Sequence, residues 1–127
     1  MIESLFNQTN YTAAKKMMDA TVLRQEAIAS NLGNVETPGY RRLDVAPTFQ
    51  SELAQAMRSG ASGDLRQVRP VIQEDGSARP VGPDGNSVDL EEEIMHLADN
   101  QMAHQMEAKM ISATLAKLRL AITGRPQ

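Results

Sequence analysis

The chain has no cysteine and no tryptophan, and its 127 residues include only two tyrosines and two phenylalanines. Without cysteine there is no disulfide framework, no thiolate metal site and no cysteine nucleophile. With so little ring area, which normally supplies much of a core's burial, that task falls to Ala, Leu, Ile, Val and eight Met. Such a set favours helix on helix over a sandwich of sheets. Residues 1–11 lack a basic stretch followed by an apolar run, so no cleavable secretory signal is expected. No segment approaches the ~20 apolar residues that a bilayer-spanning helix needs, so direct membrane insertion is not expected. A net charge of −3 leaves no electrostatic footprint for nucleic acid. The length fits one domain or less.

What is present is helical patterning at both ends. Leu90, Ile94, Leu97, Gln101, His104, Ala108, Ile111, Leu115, Leu118 and Ile122 follow alternating spacings of four and three, and eight of these ten positions are apolar. That is a heptad seam. Met95, Met102, Met106 and Met110 widen it on one flank, a stripe more typical of a core or subunit interface than of an open peptide groove. Asp89 with Glu92 forms a capping box, Glu91, Glu92 and Glu93 suit the positive end of the helix dipole, and Gly124 and Pro126 supply the stop. Such a helix is roughly 50 Å long at ~1.5 Å per residue. A globule of this chain length has a radius of gyration of only ~14 Å, so the helix must pair along its length or lie in an assembly.

A weaker seam, Ala14, Met18, Thr21, Gln25, Ile28, Leu32 and Val35, begins near Tyr11, with Thr9 or Asn10 as its cap. Two such helices at opposite ends predict a hairpin or coiled coil. The polar seam residues Gln25, Gln101 and His104 are costly in a two-helix core but useful for register. The middle differs, with five glycines and three prolines between residues 54 and 88. Residues 59–63 read as a flexible loop, and residues 68–73 as a β-leaning run that Asp75-Gly76 turns back toward residues 78–81. The fold expected is mainly α: long terminal heptad helices with an irregular or small β-ribbon middle. Its parts are residues 1–39, an axial helix ending in a turn; residues 40–88, the middle arm; and residues 89–127, the second axial helix.

Chemistry finds little foothold. Glu93 and His96 form one E-x-x-H, half of a di-iron carboxylate site, but His104 is preceded by Gln101 where the second half needs a carboxylate. Residues 83–86 resemble a calcium loop only at their start, without the alternating carboxylates. The glutamates of the helix start read as a solvated face. There is no nucleotide fingerprint or nucleophile elbow. No catalytic, cofactor-binding or metal-binding residue is assigned, and no cofactor is expected.

One stretch is specific. Ala29, Asn31, Leu32, Asn34, Thr37, Pro38, Gly39 and Tyr40 stand as in the signature A-x-N-(I/L)-A-N-x-x-T-P-G-Y, and the chain resembles the bacterial flagellar rod and hook proteins. Gly33 departs from the usual Ala. Asp84, Gly85, Asn86, Val88 and Asp89 resemble the D-G-N-x-V-D segment that opens the C-terminal helix of the short proximal rod subtype. The resemblance implies a non-enzymatic structural subunit of the basal-body proximal rod, the drive shaft, polymerising helically through its terminal helices to transmit torque. It implies as partners copies of itself, other rod proteins, the MS ring, the adaptor FliE and, during secretion, the type III export gate. Phe49 and Leu53 fit the F-x-x-x-aliphatic motif which that gate reads, and simple packing explains the pair equally well. The implied location is the periplasmic rod of the basal body, reached without a cleaved signal. The seam residues are Ile28, Leu90, Ile94, Leu97, Ile111, Leu115, Leu118 and Ile122. The alternatives are a cytosolic helical adaptor or export chaperone, which would not need the Thr-Pro-Gly-Tyr turn, and the C-type proximal rod protein.

Within that stretch Thr37-Pro38-Gly39-Tyr40 suits a type II turn, with Pro fixing φ at the second position and Gly taking positive φ at the third. Pro38 keeps Thr37 out of the helical region, so the helix ends before it. Tyr40 is expected to pack against a helix and fix where the arm leaves. Asn31 and Asn34 are expected to satisfy the last carbonyls or reach a neighbouring subunit.

Overall fold

The computed structural model describes the backbone of residues 2–60 and 62–124, and the side chains of residues 8–60 and 64–124. Two long helices, α1 (Ile2–Gly33) and α4 (Leu90–Thr123), run antiparallel and pack along one another. Between them lie strand β1 (Leu43–Val45), helices α2 (Thr48–Ser59) and α3 (Ser62–Gln67), and strand β2 (Ile72–Glu74). The mainly helical architecture with a small central sheet is the one the patterning predicts.

The start of α4 follows the capping logic of its sequence. The Asp89 carboxylate accepts from the backbone N–H groups of Glu91 and Glu92, and Gly124 closes the helix in the left-handed region with its N–H on the Leu120 carbonyl. Arg125 and Pro126 lie outside the described residues. At the other end of the chain α1 begins at Ile2, about two turns before the expected cap at Thr9 or Asn10. Those two polar residues continue the helix because no proline or glycine interrupts the preceding turns.

The middle segment departs most from expectation. β2 pairs antiparallel with β1, in the register Leu43↔Glu74, Asp44↔Gln73 and Val45↔Ile72. It does not fold back on residues 78–81, which form no strand; Pro80 has no N–H to offer a ladder. Residues 48–59 form a helix instead of an irregular arm. Phe49, Leu53 and Ala56, at spacings of four and three, are its buried face, and Gly60 ends it in the left-handed region at φ +69°. The expected flexible loop at residues 59–63 is therefore a helix stop followed directly by the start of α3; Ala61 lies outside the described residues.

The apolar core forms on the side of α1 that faces this middle segment. Ala13 and Ala20 of α1 meet Val45, Phe49, Leu53, Ala56, Leu65 and Val68, with Leu23 packed alongside. The small alanines let α2, α3 and the ribbon approach the α1 backbone closely. α1 is thus a central spine, with the core on one face and α4 on another. No helix among the described residues is long and apolar enough to cross a membrane.

Candidate functional site

The most densely bonded region is the joint where α1 ends. Thr37 to Tyr40 is a tight turn: the Tyr40 N–H donates to the Thr37 carbonyl at 3.2 Å, and Gly39 takes φ +74°. Both features match the type II turn that the sequence predicts, since only Gly adopts that φ at no steric cost. Asn34 Nδ2 donates to the Ser30 carbonyl at 2.8 Å, one turn back along α1, and its Oδ1 accepts from the Thr37 hydroxyl. The Tyr40 hydroxyl reaches back to Ser30 Oγ at 2.8 Å and donates to Asn31 Oδ1 at 3.2 Å. The tyrosine thereby ties the outgoing chain to the helix it has just left.

Asn31, unlike Asn34, bonds no carbonyl of the helix end. It is fully buried. Its Oδ1 accepts from the Leu43 N–H at 2.9 Å while its Nδ2 donates to the Leu43 carbonyl at 2.9 Å and to Glu93 Oε1 at 2.8 Å. The side-chain amide therefore acts as a short extra strand beside β1 and links it to α4. Of the expected alternatives, the first partners of both asparagines lie within the chain.

The segment before α4 locks onto the same joint. Asn86 Nδ2 donates to the carbonyls of Asn34, Val35 and Thr37, at 2.8, 3.1 and 2.7 Å. Those carbonyls lie just past the end of α1, and the ones of Asn34 and Thr37 also accept from the Thr37 and Tyr40 N–H groups of the turn. The Gly39 N–H donates to the Asp84 carbonyl at 2.9 Å, and the Ser87 N–H to the Tyr40 carbonyl at 3.0 Å. Gly85 sits at φ +82°, a backbone conformation that favours glycine, while a Cβ there would stand 3.8 Å from the Gly39 Cα, an ordinary contact.

Beneath these lies a buried charge cluster. Arg42 Nε donates to Glu93 Oε2 at 2.8 Å, and its Nη1 donates to Asp44 Oδ2 at 2.9 Å and Asp75 Oδ2 at 2.8 Å. Glu93 is fully buried. The reading of the helix-start glutamates as a solvated face is therefore wrong for this one. α4 turns position 93 onto α1, and the charge is held by Arg42 and Asn31. Burial by itself works against the Arg42 charge, but its bonds to Glu93 and Asp44 outweigh that and hold the guanidinium still more firmly protonated. Burial likewise opposes the Asp44 and Asp75 charges, yet both carboxyls sit below their usual range. No single bond outweighs the burial, but together they do: for Asp44 the Arg42 side chain, the Val45 N–H and Arg24, and for Asp75 the Ser77 hydrogen bonds and then Arg42. The sequence offered no direct signal for Arg42, whose partners are 2, 33 and 51 residues away.

Along the helix pair a second polar group continues this line. Asn100 Nδ2 donates to the Thr21 carbonyl at 2.9 Å, and the Thr21 hydroxyl lies 3.0 Å from Glu107 Oε2 and 3.1 Å from His104 Nδ1. The expected seam residues divide. Ile28 is fully buried, and Leu32, Leu97, Ile111 and Leu118 are half-buried, whereas Leu90, Ile94, Leu115 and Ile122 are exposed. In the single chain, the face that α4 turns to α1 is offset by one residue from the apolar seam. Phe49 and Leu53 are buried in the core. His96 is exposed, and among the described residues no group of three or more His, Asp or Glu side chains is placed to hold a metal ion.

These features suit a rigid joint between two long helices and a side arm. No family model matches the chain. Curated relatives do. It is 31% identical over 108 residues to the flagellar basal body rod protein FlgB of Escherichia coli (strain K12), covering 72% of this chain and 77% of that one. It is 30% identical over 112 residues to FlgB of Cereibacter sphaeroides (strain ATCC 17029 / ATH 2.4.9), covering 80% and 84%. It is 29% identical over 110 residues to FlgB of Borrelia hermsii, covering 73% and 80%. At this identity and coverage, the chain belongs to the flagellar basal body rod protein FlgB family.

Proposed function

We propose that the protein is a structural, non-enzymatic subunit of the proximal rod that polymerises helically through α1 and α4 and transmits torque as part of the drive shaft. The observation that carries this reading is the outer surface of α4. Leu90, Ile94, Met95, Met102, Met106, Leu115 and Ile122 are all between 40% and 83% exposed, spread over a helix roughly 50 Å long. Large apolar side chains left exposed along a helix of that length are a feature of interaction surfaces. Head-to-tail contacts between unlike faces build open helical filaments. The rigid joint supports the mechanical part, because it fixes the side arm to the axial helices through buried bonds. In this reading the neighbours are copies of the chain, other rod proteins, the MS ring and FliE, and the site of action is the periplasmic rod, reached by type III export without a cleaved signal. Because Phe49 and Leu53 are buried once α2 is packed, an export gate that uses this pair reads the chain before it folds.

The test is deletion of the gene with examination of isolated basal bodies by electron microscopy. The expected outcome is an MS ring with no rod, hook or filament, restored by the wild-type gene. Normal flagella in the deletion strain would overturn the proposal.

A further inference from the structure

Helix α4 carries two overlapping seams. Leu97, His104, Ile111 and Leu118 belong to both. Adding Ile94, Gln101, Ala108 and Leu115 completes the apolar seam; adding Glu93, Asn100, Glu107 and Thr114 completes a polar one. Going from one to the other is a turn of roughly 50° about the helix axis, half the ~100° step between successive residues. Hydrophobic burial alone favours the apolar phase, because it removes Ile94 and Leu115 from water and leaves the carboxylates in it. The structure adopts the opposite phase. Glu93, Asn100 and Glu107 are 0%, 4% and 5% exposed, whereas Ile94 and Leu115 are 53% and 40% exposed.

The buried polar residues repeat every seven positions, and each is met from α1. Glu93 accepts from Asn31. Asn100 donates to the Thr21 carbonyl and to Gln25 Oε1. Glu107 bonds the Thr21 hydroxyl. The ladder is not an efficient way to stabilise a hairpin. Asn100 Oδ1 is buried with no hydrogen-bond partner among the described residues, and buried ionic groups are often replaced by apolar ones with no loss of stability. Sliding along the axis is already prevented by the joint, where Asn31, Arg42 and Asn86 fix the end of α1 to the start of α4. What remains for the ladder to decide is rotation.

We propose that the ladder Glu93–Asn100–Glu107 is a rotational lock, which by pairing with Asn31, Thr21 and Gln25 holds α4 in the phase that turns Ile94, Gln101 and Leu115 away from α1. A polar contact in a helix seam selects one arrangement among several that hydrophobicity tolerates. The lock is a property of the single chain. Only its use, keeping the apolar seam available for a neighbouring helix, rests on the assembly reading above.

Because the chain has no cysteine, single reporters can be placed in the whole 127-residue chain. Gln101→Cys, Leu115→Cys and Thr114→Cys are each labelled with a maleimide, in the wild-type background and in the double variant Asn100→Ala/Glu107→Ala. Alanine favours the helix, so the variant keeps α4 helical. In the wild-type background, labelling at 101 and 115 is expected to be fast and at 114 slow. In the variant the order reverses, with 101 and 115 slowed about tenfold or more, the factor expected from losing three hydrogen bonds at the low end of their ordinary strength. Thr21→Val, which removes the shared hydroxyl with little change in volume, shifts 101 and 115 in the same direction by a smaller factor. Unchanged fast labelling at 101 and 115 in both variants overturns the lock. Uniformly fast labelling at all three positions also overturns it, since the ladder would then hold the hairpin together without choosing its phase. A wild-type background in which 114 labels as fast as 115 overturns it at the outset. These outcomes do not depend on whether the deletion strain builds a rod.

Discussion

Asn31 Nδ2 donates to Glu93 Oε1 at 2.8 Å across 62 residues of chain, and neither side chain has any solvent-exposed surface. The contact closes the joint: it fastens the last turn of α1 to the first turn of α4, and through Leu43 it fastens both to the ribbon. A buried amide with this many partners cannot be truncated cheaply. Each partner loses its bond but keeps its burial.

Asn31→Ala is therefore expected to destabilise the fold by about 3 kcal/mol, since it strands the Leu43 N–H, the Leu43 carbonyl and part of the Glu93 carboxylate. Urea denaturation followed by far-UV circular dichroism measures the effect. Loss of less than about 1 kcal/mol, the net worth of one ordinary hydrogen bond, would show that the joint is not closed by this side chain.

Arg42 makes a sharper case, because a charge is at stake. Arg42→Met leaves Glu93 buried without its counter-ion and removes a partner from Asp44 and Asp75, an expected cost of about 3–5 kcal/mol. Removing both charges is the informative step. Arg42→Met with Glu93→Leu is expected to be more stable than Arg42→Met alone by about 2 kcal/mol or more, because the uncompensated carboxylate is gone. A double variant no more stable than the single one would place the cost in lost packing.

Two glycines of the same stretch are expected to respond with opposite signs. Gly39 has open space where a methyl group would stand, but it sits at φ +74°, so Gly39→Ala is pure backbone strain, about 1–2 kcal/mol destabilising. Gly33 also has open space, and its backbone lies outside the left-handed region. Gly33→Ala, which restores the residue usual at this position in the family's signature, is expected to stabilise by about 0.5–1 kcal/mol through helix propensity. Thermal melts of the two variants against the wild type test both signs at once.

How far the sequence reaches differs from part to part. The ends of α4, the Thr37–Tyr40 turn and the mainly helical fold follow from local rules: a capping carboxylate, a proline that bars the preceding residue from a helix, a glycine at positive φ. Helix α2 is also within reach, since Phe49, Leu53 and Ala56 have helical spacing, but the glycines and prolines between residues 54 and 88 point to an irregular arm. The phase of α4 was not legible. Hydrophobic spacing selects residues 94, 101, 108 and 115, whereas the structure buries 93, 100 and 107 because their partners sit on α1, dozens of residues away. A glutamate reads as solvent-exposed until the arginine and asparagine that meet it are known, and no local pattern announces Arg42.

Glu107 gives the pH-dependent prediction. Burial pushes its carboxyl above the usual 4.5, against the opposing pull of the Thr21 hydroxyl, His104 and Arg24. The groups that face it are thus Thr21 and Arg24 of α1 and its own-helix neighbour His104; the side of α2 nearby contributes Phe49, Gln50, Leu53 and Met57, none of them charged. A carboxyl raised in the folded state favours folding when protonated. Its contribution is fully present below 4.5 and is lost as pH rises through the folded value. Asp44 and Asp75 act in the opposite sense. Their lowered values make them stabilising above 3.8, a contribution lost as pH falls through their folded values. Glu107→Gln copies the neutral form and can keep the Thr21 bond, so it is expected to melt higher than the wild type at pH 7.5, and the difference is expected to shrink as pH falls below 4.5, where the raised wild-type carboxyl already holds its proton. The acid loss through Asp44 and Asp75 is common to both proteins and cancels in the comparison. Melting curves across that range decide the matter: an equal gap at both ends, or a variant that melts lower at neutral pH, means that the charge of Glu107 is not what burial opposes.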